Sequence, residues 1–231
     1  MKKVYIKGTI VSNDVKWAYD FYGIESVCPN DVTAALAEAN GDDVTVEINS
    51  GGGEVFAGSE MYYSILNYSG NVTIDIVGFC GSAASVIAMA GHCRMVPSGL
   101  FMIHNVSGYA EGDYREMEHT SNVLKTCNRA IAKAYRVKTG MGESELLGLM
   151  NKAKWMFADE VTEMGFVDEI IGDDEQKQVI LYNAEFATIL KPDIIAKTRE
   201  FMAAGKPPPE PPPTDDGAAE ITALKNQFEI I

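Results

Sequence analysis

Apolar positions along this chain switch between a spacing of two and a spacing of three to four, and the switches mark out its elements. Val4-Tyr5-Ile6-Lys7-Gly8-Thr9-Ile10 is rich in β-formers and is closed by Ser12-Asn13-Asp14, so it predicts a strand. A helix is expected from Asn30, whose side chain can cap Asp31-Val32-Thr33-Ala34-Ala35-Leu36. Val44-Thr45-Val46-Glu47-Ile48-Asn49 reads as a strand that stops in Ser50-Gly51-Gly52-Gly53. Helical spacing resumes from Glu54 to about Asn67, with Val55, Met61, Ile65 and Leu66 as core candidates. Val72 to Val77 is a further strand, and Gly81 to Met89 a helix of small residues. Short strands are expected at Arg94–Pro97 and Phe101–His104, then a long polar helix from Tyr114 to Lys138, stopped by Thr139-Gly140. Strand, glycine turn and helix repeated in this way predict an α/β fold with largely parallel strands.

The texture changes near the end. Six of the nine prolines fall between Pro207 and Pro213, which predicts an extended polyproline II spacer. A helix is expected over Asp193–Ala203 before it, and Ala218–Ile231 after it has too few apolar groups to build a core. The expected division is a main domain over residues 1–172, a strand-and-helix extension over 173–205, and a linker with a flexible tail over 206–231.

Composition narrows the function. Of 231 residues, 46% are hydrophobic, which excludes global disorder. With 33 acidic against 19 basic side chains the net charge is −14, which argues against nucleic acid as the main partner. The longest weakly polar stretch, Val77 to Gly91, is too short and too broken by Gly and Ser to span a bilayer. The first residues turn polar too soon for a secretory signal. Cys28, Cys80, Cys93 and Cys127 are scattered without a C-x-x-C pair or a His at ligand spacing. Reduced thiols, a cytoplasmic setting, no metal and no cofactor are the expectations.

Three features can carry chemistry. The Ser50-Gly51-Gly52-Gly53 loop lets backbone approach a ligand closely, although a tight strand-to-helix turn explains it equally well. It lacks the lysine of a phosphate loop and the spacing of a dinucleotide fingerprint. The second is Gly81-Ser82-Ala83-Ala84-Ser85-Val86, where a serine near a helix start sits close to backbone dipole charge. Ser82, just before the apolar run, is the better capping candidate, which leaves Ser85 for chemistry. The third is His104, at the end of an apolar strand, as the base for Ser85 nineteen positions earlier. His92 suits a helix C-terminus, and His119 a solvated helix face.

The order of these motifs, continued by Ala158-Asp159-Glu160-Val161 and Gly165-Phe166-Val167-Asp168, resembles the proteolytic subunit of the Clp protease. The likeness covers about Val4 to Ile171 and is closest to the prophage or head-maturation branch, with Asn49-Ser50-Gly51-Gly52-Gly53 where that family usually has Asn-Ser-Pro-Gly-Gly. It implies a ClpP/crotonase-like fold of repeated strand-strand-helix units and a serine endopeptidase. Ser85 matches the nucleophile, His104 the base, and the Gly53 and Val86 N–H groups the oxyanion hole. Polypeptide substrates, a homo-oligomeric ring (a heptamer or a double ring) and an unfoldase or phage capsid and scaffold proteins as partners are implied as well. The family's acidic member falls on Ala153, so no third catalytic residue is assigned; Asn151 and the more distant Asp159 are acceptors in its vicinity. Two other readings remain at this level: a crotonase-type acyl-CoA enzyme on the same fold, and a weakly active or non-catalytic scaffold.

Overall fold

The computed structural model describes residues 2–172 and, further on, residues 195, 196, 199 and 200. The chain divides into two compact units, residues 1–189 and 190–231, and every element below lies in the first. The expected helix over Asp193–Ala203 (those four positions apart), the proline spacer and the tail lie outside the described residues.

The first strand, β1 (Lys2–Ile10), is followed by α1 (Lys16–Phe21), β2 (Ser26–Val27) and α2 (Pro29–Ala39). The cap of α2 differs from expectation. Cys28 is the N-cap, and its N–H donates to the Asp31 carboxylate at 2.9 Å, while Asn30 already lies inside the helix. Then come β3 (Val44–Gly53), α3 (Val55–Leu66) and β4 (Val72–Gly81). A short α4 (Ala83–Ile87) continues as one 3₁₀ turn (Ala88–Ala90) before β5 (His92–Met95) and β6 (Leu100–Ile103). The long α5 (Tyr114–Thr139) is capped by Asp113, which accepts from the Arg115 N–H at 2.8 Å, and ends on Gly140 at φ 74°. The remaining elements are α6 (Glu143–Asn151), β7 (Lys154–Phe157), α7 (Ala158–Glu163) and β8 (Glu169–Ile170).

The eight strands form one sheet, ordered β2-β1-β3-β4-β5-β8, with β6 on β4 and β7 on β6; every pairing is parallel except β6–β7. This is the expected α/β architecture. Ile6, Ile48, Ile74 and Ile76 from the central strands are fully buried with Met61 and Ile65 of α3 and Ile87 of α4. Each such side chain taken from water stabilises the fold by about 1.5–3 kcal/mol.

Two departures from a regular sheet shape the functional edge. β3 does not stop at its serine; it stays paired with β1 as far as Gly53, opposite Ile10. Both of its ladders shift register near Asn49 and Ser50, and side chains replace the lost backbone bonds there. Asn49 Oδ1 accepts from the Phe79 N–H at 3.0 Å, and Ser50 Oγ donates to the Gly8 carbonyl at 2.6 Å. Second, β4 divides its partners: Thr73–Ile76 pair with β5, whereas Phe79–Gly81 pair with β6.

Candidate active site

Three strand ends converge where β3, β4 and β6 finish. The carboxyl edge of a parallel sheet is where such folds take ligands. Gly81 of β4 lies opposite Met102 of β6, and the Ser82 N–H donates to the Met102 carbonyl at 3.0 Å. The residues just past the two strands therefore leave side by side. His104 Nε2 lies 2.8 Å from Ser82 Oγ.

Ser82 occupies an unusual backbone state, φ 53° and ψ −124°. For a residue with a β-carbon this costs on the order of 1–3 kcal/mol and persists only where its surroundings enforce it. Ser82 is the N-cap of α4, as expected, yet its side chain makes no capping bond and is committed to the imidazole. Gly52 presses against it from β3. A β-carbon on Gly52, whose φ is +95°, would lie 2.7 Å from Ser82 Cβ and 2.8 Å from the Ala83 nitrogen. Only glycine permits that approach.

His104 is half-buried, and burial lowers its pKa from the ordinary 6.5. The ring is therefore neutral at pH 7, with one donor and one acceptor nitrogen. When the Ser82 hydroxyl donates to Nε2, the ring proton sits on Nδ1. Among the described residues no carboxylate pairs with His104. The antiparallel β6–β7 register, Ile103 opposite Lys154, carried one step further puts Ala153 across from His104. Asn151 Oδ1 accepts instead from Asn105 Nδ2 at 2.8 Å, and Asp159 is exposed in the first turn of α7.

Ser85, expected as the partner of His104, has its Oγ bonded to other groups. It lies one turn inside α4 with 0% exposure, its Oγ donating to the Ser82 carbonyl at 2.6 Å and sitting 2.7 Å from the Tyr135 hydroxyl. Val86, expected at the oxyanion hole, is the fourth residue of α4. Ala83, the first residue, has no acceptor for its N–H within the helix. At Gly53 a β-carbon would sit 2.0 Å from the Ile10 carbonyl oxygen, which accepts the Glu54 N–H at 2.9 Å.

The other two histidines lie elsewhere. His92 is 3.5 Å from carboxylates of both Asp168 and Glu169, and His119 is exposed on α5. Among the described residues no cluster of three His, Cys, Asp or Glu side chains is placed to hold a metal ion. Among those residues no helix is long and apolar enough to cross a membrane. The sequence reading missed Tyr135 and took Ser82 for a cap alone. Two serines at i and i+3 share a helix side, so spacing does not say which one meets the imidazole. The usable signal was position, because Ser82 directly follows the last glycine of β4.

Fold and site together define an α/β protein with a serine–histidine pair at the carboxyl edge of its sheet. The chain belongs to the Clp protease family, whose model matches residues 24–174. It is 28% identical over 134 residues to the ATP-dependent Clp protease proteolytic subunit of Bacteroides fragilis NCTC 9343, covering 57% of this chain and 65% of that protein. The proteins of the same description from Bacteroides fragilis YCH46 and Bacteroides thetaiotaomicron are 28% and 27% identical over 134 residues. The match spans 61% of each of those two and again 57% of this chain.

Proposed function

We propose that this chain is a serine endopeptidase with His104 as the base and Ser82, the hydroxyl that meets it, as the nucleophile; Ser85, which matches the family's nucleophile, is the second reading, one turn further into α4. The observation that carries the reading is the 2.8 Å contact between His104 Nε2 and the Oγ of a serine held at φ 53°. Ser82 Oγ attacks the scissile carbonyl carbon while Nε2 takes its proton. The resulting imidazolium gives that proton to the leaving amine as the peptide bond breaks. Water then hydrolyses the acyl-enzyme, with His104 again moving the proton. The oxyanion is assigned to the N–H groups of Ala83, at the start of α4, and of Gly53.

With Ala153 across from His104, the pair works as a dyad. Loss of the carboxylate from a triad costs about 10⁴ in kcat, so slow turnover is expected. Polypeptide substrates, a ring with an inner chamber, phage capsid or scaffold processing, a cytoplasmic setting and a main domain over residues 1–172 belong to the same proposal. The ring draws support from Phe56 and Val137, 72% and 73% exposed, which flank an apolar groove between α3 and α5. Cleavage of a fluorogenic peptide or of an unfolded protein tests the reading. Activity abolished by Ser82→Ala and by His104→Ala is the expected result; turnover of an acyl-CoA with no peptide cleavage overturns it.

A further inference from the structure

We propose that Asn105, Asn128 and Asn151 are positioning residues for the base: a clamp of three side-chain amides that holds the segment carrying His104 against α5 and α6. The inference rests on the reading of His104 as base and does not depend on which serine attacks. The ladder that carries β6 ends just before the imidazole. Gly81 opposite Met102, and Ile103 opposite Lys154, are the last pairs on its two sides. Beyond them, among the described residues, residues 104–112 make no backbone-to-backbone hydrogen bond. A segment without a ladder is held only by what side chains supply.

Two amide contacts supply it, at the two residues that follow the ring. Asn105 Nδ2 donates to Oδ1 of Asn151, the last residue of α6, at 2.8 Å. The Val106 N–H donates to Asn128 Oδ1, on α5, at 2.7 Å. The chain is therefore fixed on both sides of His104, by the β6 ladder before it and by two helices after it. The end of α6 is itself closed beside this contact: the Lys152 and Ala153 N–H groups donate to the Leu149 and Met150 carbonyls at 3.1 and 3.0 Å.

Asn105 is not there for packing. Its Oδ1 is buried without a partner among the described residues. An acceptor left so destabilises the fold, and a leucine of similar size would avoid that cost. What leucine cannot supply is the Nδ2 bond. In a triad the acidic member orients the ring and also stabilises its charged form. The clamp supplies the first of these roles and not the second. It carries no charge, so its loss should slow the reaction without moving the pH at which the ring titrates.

The test uses the full chain as wild type, Asn105→Leu, Asn128→Ala, Asn151→Ala and Asn128→Asp. Saturation kinetics with a fluorophosphonate across pH give the maximal labelling rate, the half-saturation and the pH midpoint of each. Independently of activity, ¹⁵N-histidine labelling gives ring signals from the three histidines of the sequence, with His104 assigned by its loss in His104→Ala. The expected result for the three neutral variants is a maximal rate about tenfold lower, with half-saturation within about twofold and the midpoint unmoved. Asn128→Asp keeps an acceptor for the Val106 N–H and should recover most of the loss. The His104 signals should move in each slow variant, while those of His92 and His119 stay in place and show that the variant has folded. Maximal rates and His104 signals unchanged from wild type would overturn the clamp. So would a shifted midpoint in the neutral variants, or an Asn128→Asp as slow as Asn128→Ala. Should the wild-type chain not label at all, the peptidase reading falls, and the His104 signals still decide whether the amides hold the ring.

Discussion

Burial of the His104 ring sets the acid limit of the reaction. Its pKa lies below the ordinary 6.5, and only the neutral ring accepts the Ser82 proton. Acylation should therefore stay level above pH 6.5 and fall only in a more acidic window, read from the rate of fluorophosphonate labelling against pH. A midpoint above 6.5 would mean that a charge, and not burial, governs the ring. The same shift carries a sign for stability. Between the folded value and 6.5 the unfolded chain binds the extra proton, so stability falls as pH drops through that interval. At this scale the sequence was partly legible. His104 stood out as the one histidine at an apolar strand end, but which serine meets its ring turned on a φ of 53°, which no residue type announces. Tyr135 was invisible for another reason: its partner is fifty positions away and its bond exists only after packing.

At the scale of elements, the antiparallel β6–β7 pair decides how much help the imidazole receives. Residue 153 follows α6 at φ 47° and lies across from His104 by the register of the two strands. Facing residues of an antiparallel pair have β-carbons about 4.5–5.5 Å apart, within reach of a carboxylate on Nδ1. Aspartate also tolerates the left-handed state better than alanine does. Ala153→Asp should therefore raise the acylation rate about tenfold or more and move its pH midpoint upward, since a nearby negative charge favours the imidazolium. An unchanged rate and midpoint would count against the register argument. The main elements were readable from pattern: the strands on either side of the glycine loop, the small-residue helix, and a 26-residue α5 with its glycine stop. Less readable were α6, whose apolar spacing is short, and the continuation of β3 through Ser50 and three glycines. Pairing with β1 held that segment extended against its own turn preference.

Over the whole molecule, the sheet delivers its chemistry to one edge and leaves two helices with apolar surface. Phe56 of α3 and Val137 of α5 stand out on either side of the groove that Val55, Tyr62, Ile131 and Ala134 also line. If the ring closes over this surface, Phe56→Glu with Val137→Glu should shift native mass from an oligomer to a monomer; an oligomer of unchanged mass would move the interface elsewhere. The net charge of −14 then describes the solvated exterior and says little about a site built of Ser, His, Gly and Ala. The measurement that bears most directly on the central claim is to label the folded wild-type chain with a fluorophosphonate and map the adduct by peptide mass. The account predicts the label on Ser82, and its loss in Ser82→Ala. An adduct on Ser85, or labelling that survives Ser82→Ala, would contradict it.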